Sequence, residues 1–530
     1  MNANTLKFKK EQIEKFPRWI RNVAYFFSSR KALASLGFIV VSVLATIWFL
    51  VRVIPKPSRA TYPCMQVAMP FMSGLVIWML SVGGSFFAFR KARHLFSQTK
   101  HMAAFMLIVV SGVFCWITLS LPATNSKAAE AVKFEANKPL GTGRGIHPGR
   151  VAWAHNPNIT SWNGKDGFYW EDRFNNQSAS DKTVTASILT LTGETNENKA
   201  WNSLFTYFNK TKRNLKQGYS KNEKIAIKIN QNNTLSQHDT AELNASPHMV
   251  LSLLKSLIEE GGVPEQNITV FDASRFITDN IFDKCHAVYP KVVFVDNCGG
   301  RGRVKAEYLD NAIPYSADNG KLATGLAKCA VDANYIINVA LMKGHVGTGI
   351  TLCAKNFYGV TSINYQWRKN AHDNFEADKK EGKPKYITFT DFLAHKDLGE
   401  KTLLFLIDSY YAHKECNFAP EFKWKMAPFN NNWPCSLFAS QDGVAIDAVG
   451  LDFMFAEWPD MVDMKYCDHY LAEAALADNA PSGTKYDPER DGKACSSLGV
   501  FEHWNNGIEK RYTGNIKPGK GIELKYCKVD

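Results

Sequence analysis

Residues 335–359 read YIINVALMKGHVGTGITLCAKNFYG. The opening YIINVA is apolar and rich in β-branched side chains, which predicts a strand buried on both faces. The polar, glycine-rich stretch that follows carries Lys343, His345, Thr348 and Gly349, and ITLCAKNFY at 350–358 is expected to be a helix. Strand, loop and helix in that order make half of a crossover unit, and the flanking sequence repeats the pattern. IAIKI (225–229), ITVFD (268–272), VVFV (292–295) and LLFLI (403–407) read as further strands. MVLSLLKSLIEE (249–260) reads as a helix that Ser246 caps, Pro247 opens, and Gly261, Gly262 and Pro264 end. The alternation predicts an α/β fold with a largely parallel sheet and helices on both faces.

In such sheets a ligand sits beyond the carboxyl ends of the strands. The residues placed there are polar: Lys228, Asn230 and Gln231 after the first strand, Asp272, Ser274 and Arg275 after the second, Lys343, Gly344 and His345 after YIINVA, and Asp408 after LLFLI. Gly344, Gly347 and Gly349 permit close backbone approach, and a helix starting at 350 would favour an anion at its N-terminus. Lys355 and Asn356 lie on that helix, where a lysine among apolar neighbours is hard to assign to the surface. The G-K-[ST] ending of a phosphate-binding loop is missing, which argues against nucleoside triphosphate hydrolysis. Asp272 and Asp442 equally suit helix N-caps, and Asp447 falls on an apolar helix where burial would require a partner. Residues 364–384 are polar and are read as a surface excursion.

Upstream the composition changes. Residues 33–54, 65–89 and 102–121 are apolar stretches of about 20 residues without an acidic group, long enough to cross a bilayer as helices. The first is too long for a cleaved signal peptide and is followed by two more. Before the first span lie Lys7, Lys9, Lys10, Lys15, Arg18, Arg21, Arg30 and Lys31; the first loop has Arg52, Lys56 and Arg59, and the second Arg90, Lys91, Arg93 and Lys100. Eight and four against three place the N-terminus and second loop in the cytoplasm and the large domain outside the plasma (inner) membrane. Residues 11–27 mix basic and aromatic side chains, as a helix lying on the inner surface would. The expected organisation is a cytoplasmic basic segment (1–31), three transmembrane helices (32–122), a linker (123–145) and an extracytoplasmic α/β domain (146–530).

The net charge of +13 belongs entirely to the membrane part. Residues 1–121 hold 15 of the 63 basic and 2 of the 50 acidic residues, leaving 48 of each for the remaining chain. A neutral domain gives no support to nucleic-acid binding, so the bilayer is the only partner read from charge, and protein partners are undefined. Of the 11 cysteines, all but Cys64 and Cys115 follow the spans. No CxxC or CxxH spacing supports a zinc or iron-sulfur site. An external domain would allow disulfides, and Cys285 with Cys298 and Cys416 with Cys435 are the short-loop candidates.

IKINQNN, VFDASR, VDANYIINVALMKGHVGTGITLCAKNFYG and ASQDGVAIDAVG resemble the recurring blocks of the DUF362 family, and IHPGRVAWAHNP with the stretch 162–170 resembles its membrane-anchored or exported members. A more distant resemblance is to the nickel-pincer lactate racemases. Asp272 and Arg275 match their Asp-x-x-Arg element; His345, Gly349, Thr351 and Lys355 match the element in which the histidine is acid/base and the lysine holds the cofactor, and His372 stands where that family has a nickel ligand. That resemblance implies a nickel-pincer nucleotide. It stops at the glycine pair before the lysine, replaced by Leu352 and Cys353, and at a second acid/base histidine, which has no counterpart.

The reading that follows is a membrane-anchored extracytoplasmic enzyme or cofactor-binding protein acting on a small anionic ligand. His345 and Lys355 would carry the chemistry; Lys228, Asn230, Asp272, Arg275, Lys343, Thr348, Gly349, Asn356, Asp408 and Asp442 would bind. The alternative is a non-catalytic domain that presents a ligand or partner at the membrane. Its topology is testable: a reporter fused after Glu130 should behave as external and one fused at Phe96 as internal. A cytoplasmic signal from the Glu130 fusion would reverse the orientation.

Overall fold

The apolar runs assemble into one sheet. The computed structural model describes residues 134–530, except 233–235, 319, 346–348, 364, 376–383, 416–417 and 461–466, together with Ile47, Arg90, Lys91, Leu95 and Met102. The chain divides into two compact units, Met1–Lys127 and Ala128–Asp530. The basic segment and the three expected membrane spans lie outside the described residues, as do Thr348 and Cys416. No helix among the described residues is long and apolar enough to cross a membrane.

The strands of the main sheet are β1 (Arg150–His155), β2 (Ile225–Lys228), β3 (Ile268–Asp272), β4 (Val293–Asp296), β5 (Val304–Lys305), β6 (Tyr335–His345), β7 (Gly349–Thr351), β8 (Thr402–His413), β9 (Ser436–Ser440) and β10 (Glu523–Lys528). Their order is β10-β1-β9-β8-β6-β2-β3-β4-β5, with β7 paired to β6 alone. From β8 through β6, β2, β3 and β4 to β5 all pairs are parallel, whereas β9 runs antiparallel to both β8 and β1. The sheet is therefore mixed and mostly parallel.

The helices that cover the sheet are α1 (Gln177–Thr192), α2 (Glu197–Lys212), α3 (Pro247–Lys255), α4 (Asp279–Val288), α5 (Cys353–Asn356), α6 (Tyr365–Asp373), α7 (Thr388–Ala394), α8 (Gly443–Glu457) and α9 (Asp468–Ala475); two further single-turn helices span Lys328–Val331 and Thr513–Ile516. Alternate strand residues feed two separate cores. Ile225, Ile227, Val270, Ile337 and Val339 pack with α1, α2, α3 and α4. Ala226, Phe271, Ile336 and Ala340 pack with α5, α6, α7, α8 and α9 on the other face. Helices thus cover both faces, as the unbroken apolar strands require. Ser246 caps α3 by accepting the Met249 N–H, with Pro247 in the first turn. Five residues of π-helix, Ser256–Glu260, complete the expected 249–260 helix.

Three expectations are corrected. β6 continues through His345 and turns back on itself, pairing Gly349 with His345, Ile350 with Gly344 and Thr351 with Lys343. The helix expected over 350–358 shrinks to α5 and a 3-10 turn, Phe357–Val360. Ile350 and Thr351 are β-branched and prefer the extended form, and α5 starts where Asp447 of α8 accepts the N–H groups of Cys353 (2.8 Å) and Ala354 (2.9 Å). The linker ends earlier than residue 145. Leu140–Gly141 pairs with Val500–Phe501, and Phe134 packs against Phe501 with ring centroids 5.2 Å apart. The disulfides are absent among the described residues, where Cys285 and Cys435 are free, buried thiols and Cys298 is free and exposed. Cys285 faces the core from α4 while Cys298 sits on the loop after β4.

Asp408 on β8 joins the sheet to α3. Wholly buried, it accepts the N–H of the capping Ser246 (2.7 Å) and of Tyr410 (3.2 Å). Burial pushes its carboxyl up from 3.8 to about 6, against the pull of the two amides. A carboxyl raised in the folded state contributes its stability in full below the unfolded value near 4, and loses it as pH climbs through about 6. At about 1.4 kcal/mol per pH unit of displacement, the loss is on the order of 3 kcal/mol. Thermal denaturation of wild type and Asp408→Asn at pH 4 and pH 7 should show the wild type losing ground to the variant by about that amount. An unchanged gap would mean that the pKa of Asp408 is the same in the folded and unfolded chain.

Candidate functional site

β2 ends in Lys228, whose side chain is 1% exposed. A buried ammonium persists only if paired, and this one donates to Ile229 O (2.6 Å), Asp272 Oδ2 (3.2 Å) and Asn356 Oδ1 (3.0 Å). Burial holds its pKa below the ordinary lysine value. Asp272, at the end of β3, also accepts the N–H of Gln231 (3.0 Å) and of Ser274 (3.2 Å). Asn356, in α5, accepts from Asn230 (3.2 Å) and donates to Asn338 Oδ1 (2.8 Å) and Val339 O (3.0 Å). Lys228, Asn230, Asp272 and Asn356 therefore form one internal network that clips the carboxyl ends of β2 and β3 to α5. Lys228, expected to hold a ligand anion, is spent on this network.

A cationic layer lies beside it. Lys343, 2% exposed, donates to Asn232 Oδ1. Arg275 donates from Nε to Asn232 O (2.9 Å) and from Nη1 to Ser274 O (3.0 Å). Burial, and then the guanidinium of Arg368, depress the pKa of Arg275. Arg368 lies over the Tyr358 ring at 4.2 Å. Lys355 donates to Thr351 Oγ1 (3.4 Å). The rings of His345 and His372 lie 5.6 Å apart. Burial pushes His372 down to about 4, with Lys355 and Arg368 adding to the effect, so it is neutral near pH 7. Asp272 acts on Arg275, and Glu242, whose own pKa burial raises, lies within reach of both Lys343 and Arg275.

The turn after β2 holds buried polar atoms without a hydrogen-bond partner: Gln231 Oε1 and Nε2, Asn230 Oδ1, and Asn232 Nδ2 on the residue that meets Lys343 and Arg275. Gln231 is 1% exposed. Unpaired buried amides are costly and uncommon in native proteins, and a bound ligand is one of the ordinary explanations. Two cavities lie elsewhere. One of about 480 Å³ adjoins Asn156, Asn176 and Lys182; the other, of about 460 Å³, adjoins Arg144, Lys212 and Gly399. Neither gathers the titratable groups found at the carboxyl edge of the sheet.

The structure thus brings Arg275, Lys343, His345, Gly349 and Lys355 around the network of Lys228, Asn230, Asp272 and Asn356. It leaves out two expected ligand-binding residues. Asp442 lies at the opposite edge, because β9 runs antiparallel and Ser440 pairs with Phe405 near the start of β8. There it caps α8, accepting N–H groups from Val444, Ala445, Arg144 and Val500. Asp408 serves α3, as described above. The anion expected at the N-terminus of α5 is the chain's own Asp447. Gln231 and Arg368 were not among the expected ligand-binding residues. Arg368 fell within the polar stretch read as surface, although Trp367, Arg368 and His372 share a helix whose Trp367 is buried. Among the described residues no group of three His, Cys, Asp or Glu converges. His372, the nickel ligand of the racemase resemblance, has the ring of His345 beside it, and no third His, Cys, Asp or Glu joins the two among the described residues.

Residues 225–452 match the family model DUF362, a domain of unknown function. No curated protein matches the chain. The matched span runs from β2 to within α8, supports the family resemblance drawn from the sequence, and contains the whole cluster.

Gly359 gives this arrangement its sharpest constraint. A Cβ there would lie 2.7 Å from Lys228 Cε and Nζ and 3.0 Å from Asp272 Oδ1. Gly359→Ala should force the ammonium off its carboxylate, at the roughly 3–5 kcal/mol typical of breaking a buried pair. Urea denaturation of the variant measures this, and wild-type stability would show that Lys228 shifts freely.

Proposed function

We propose that the carboxyl edge of the sheet binds a small anionic molecule and that the protein acts on it as an enzyme, or holds it as a cofactor. The observation that carries this reading is the gathering of Arg275, Lys343, Lys355 and Arg368 beside a turn whose buried side-chain amides include Asn232 Nδ2, which lacks a partner although Asn232 meets both Lys343 and Arg275. Like charges brought together in a low-dielectric setting repel, and an incoming anion relieves that repulsion. Lys343 and Arg275, tied to neighbouring strand ends through Asn232, hold the anionic group. Gln231 and Asn230 orient it by hydrogen bonds. His345, beside the neutral His372, transfers a proton near neutral pH. Lys355 grips the ligand or serves as nucleophile. The charge asymmetry of the N-terminal loops supports placing this site on the outer side of the membrane, carried by the three apolar segments.

A domain that only presents a ligand would use the same cations without needing His345. The full chain should be stabilised by inorganic phosphate, by about 2.7 kcal/mol at a hundred times the dissociation constant. Lys355→Ala and Arg275→Ala should each cancel that gain while leaving the unliganded melting temperature within a few degrees. His345→Ala should retain phosphate binding and abolish turnover once a substrate is found. A melting temperature that falls in parallel with binding would instead assign these residues to structure.

A further inference from the structure

An aromatic rim adjoins the cationic site. Phe418 and Phe422 expose 53% and 40% of their surface. Both rings lie against His413, at centroid distances of 5.6 and 5.9 Å. His413 is the strand partner of Lys343 across β8 and β6, so the aromatic pair begins one side chain away from the ammonium. His413 is 3% exposed. Its Nε2 makes no hydrogen bond, and Glu421 Oε2 lies 4.0 Å from it. The N–H of Leu243 donates to Phe418 O (2.9 Å), which fastens this segment to the stretch carrying Glu242. Thr240 O accepts the indole N–H of Trp170 (2.8 Å), and Trp170 stacks on the exposed Phe168 at 5.1 Å.

Isolated exposed aromatics need no explanation, but a pair packed on a histidine beside a buried charge cluster does. A small hydrophilic anion would occupy the cations and leave these rings in water. A ligand with an apolar chain on its anionic group would cover both.

We propose that the ligand is an amphiphilic anion, with its charged group on Lys343 and Arg275 and an alkyl chain lying across Phe418 and Phe422. This rests on the anion-binding reading above and adds the chain. The same chemistry can arrive from two sources, a soluble alkyl anion or the headgroup of a lipid.

The test uses the full chain in discs of zwitterionic lipid and a series from inorganic phosphate through methyl, butyl and hexyl phosphate. Full burial of each methylene strengthens binding about fourfold, so a chain lying on an open rim should tighten binding at least tenfold from methyl to hexyl. Phe418→Ala with Phe422→Ala should flatten the series and leave inorganic phosphate binding unchanged. The pair of leucine substitutions should retain most of the slope, which separates loss of apolar surface from a folding defect. A flat wild-type series with phosphate still bound would overturn the amphiphile and keep the anion site. No binding of any member would overturn the anion site itself. Discs doped with phosphatidic acid assign the source: competition with hexyl phosphate points to the bilayer, and its absence to a soluble amphiphile, either outcome supporting the chain.

Discussion

A single buried ion pair organises this domain. Lys228 and Asp272 end adjacent parallel strands with their charges out of water, and neither is tolerable alone at that depth. The carboxylate is shared with the backbone of the turn that follows β2, and the ammonium with the amide of Asn356. Three chain segments distant in sequence are therefore fixed by one requirement: charges that leave water must be matched. Several of the groups that the site offers to a ligand are attached to those segments, while Lys343 and His345 come from β6 and Arg368 from α6. Asn232 follows the turn, Arg275 follows Asp272, and Lys355 precedes Asn356.

Much of the fold was legible because the strands are buried on both faces and so read as unbroken apolar runs. The α3 helix was legible at its start because Ser246 and Pro247 are local signals. What the sequence concealed depends on partners far along the chain. Nothing local to residues 350–358 reveals that Asp447, about ninety residues on, selects where α5 begins. Asp442 sits after a strand like the others, but β9 runs the opposite way, and a run of five apolar or small residues carries no sign of its direction. The linker looked unstructured because its glycines and small residues contribute mostly backbone to the pairing with 500–501. The cysteine pairs failed because spacing says nothing of burial, and Cys285 points into the core.

The candidate site was legible as a set of residue types at strand ends, since the parallel arrangement carries the residues after β2, β3 and β6 to one edge. Its internal division was not. Lys228 and Lys343 look alike in sequence, yet one is consumed within the protein and the other stands among ligand candidates. Gln231 is inconspicuous in IKINQNN, because an unsatisfied amide becomes visible only when every neighbouring donor and acceptor has been placed.

The closeness of Gly359 to the ion pair has a consequence for how such a sequence can change. Positions 228, 272 and 359 constrain one another: a side chain at 359 is excluded while the pair is present, and loss of either charge strands the other. A single step at 228 or 272 passes through a stranded charge, so these two can be exchanged only together, and room for a side chain at 359 opens only once they have been. Residues farther out, such as those of the aromatic rim, carry no such linkage. A lineage descended from this protein would be free to retune what it binds at the periphery while keeping the same centre.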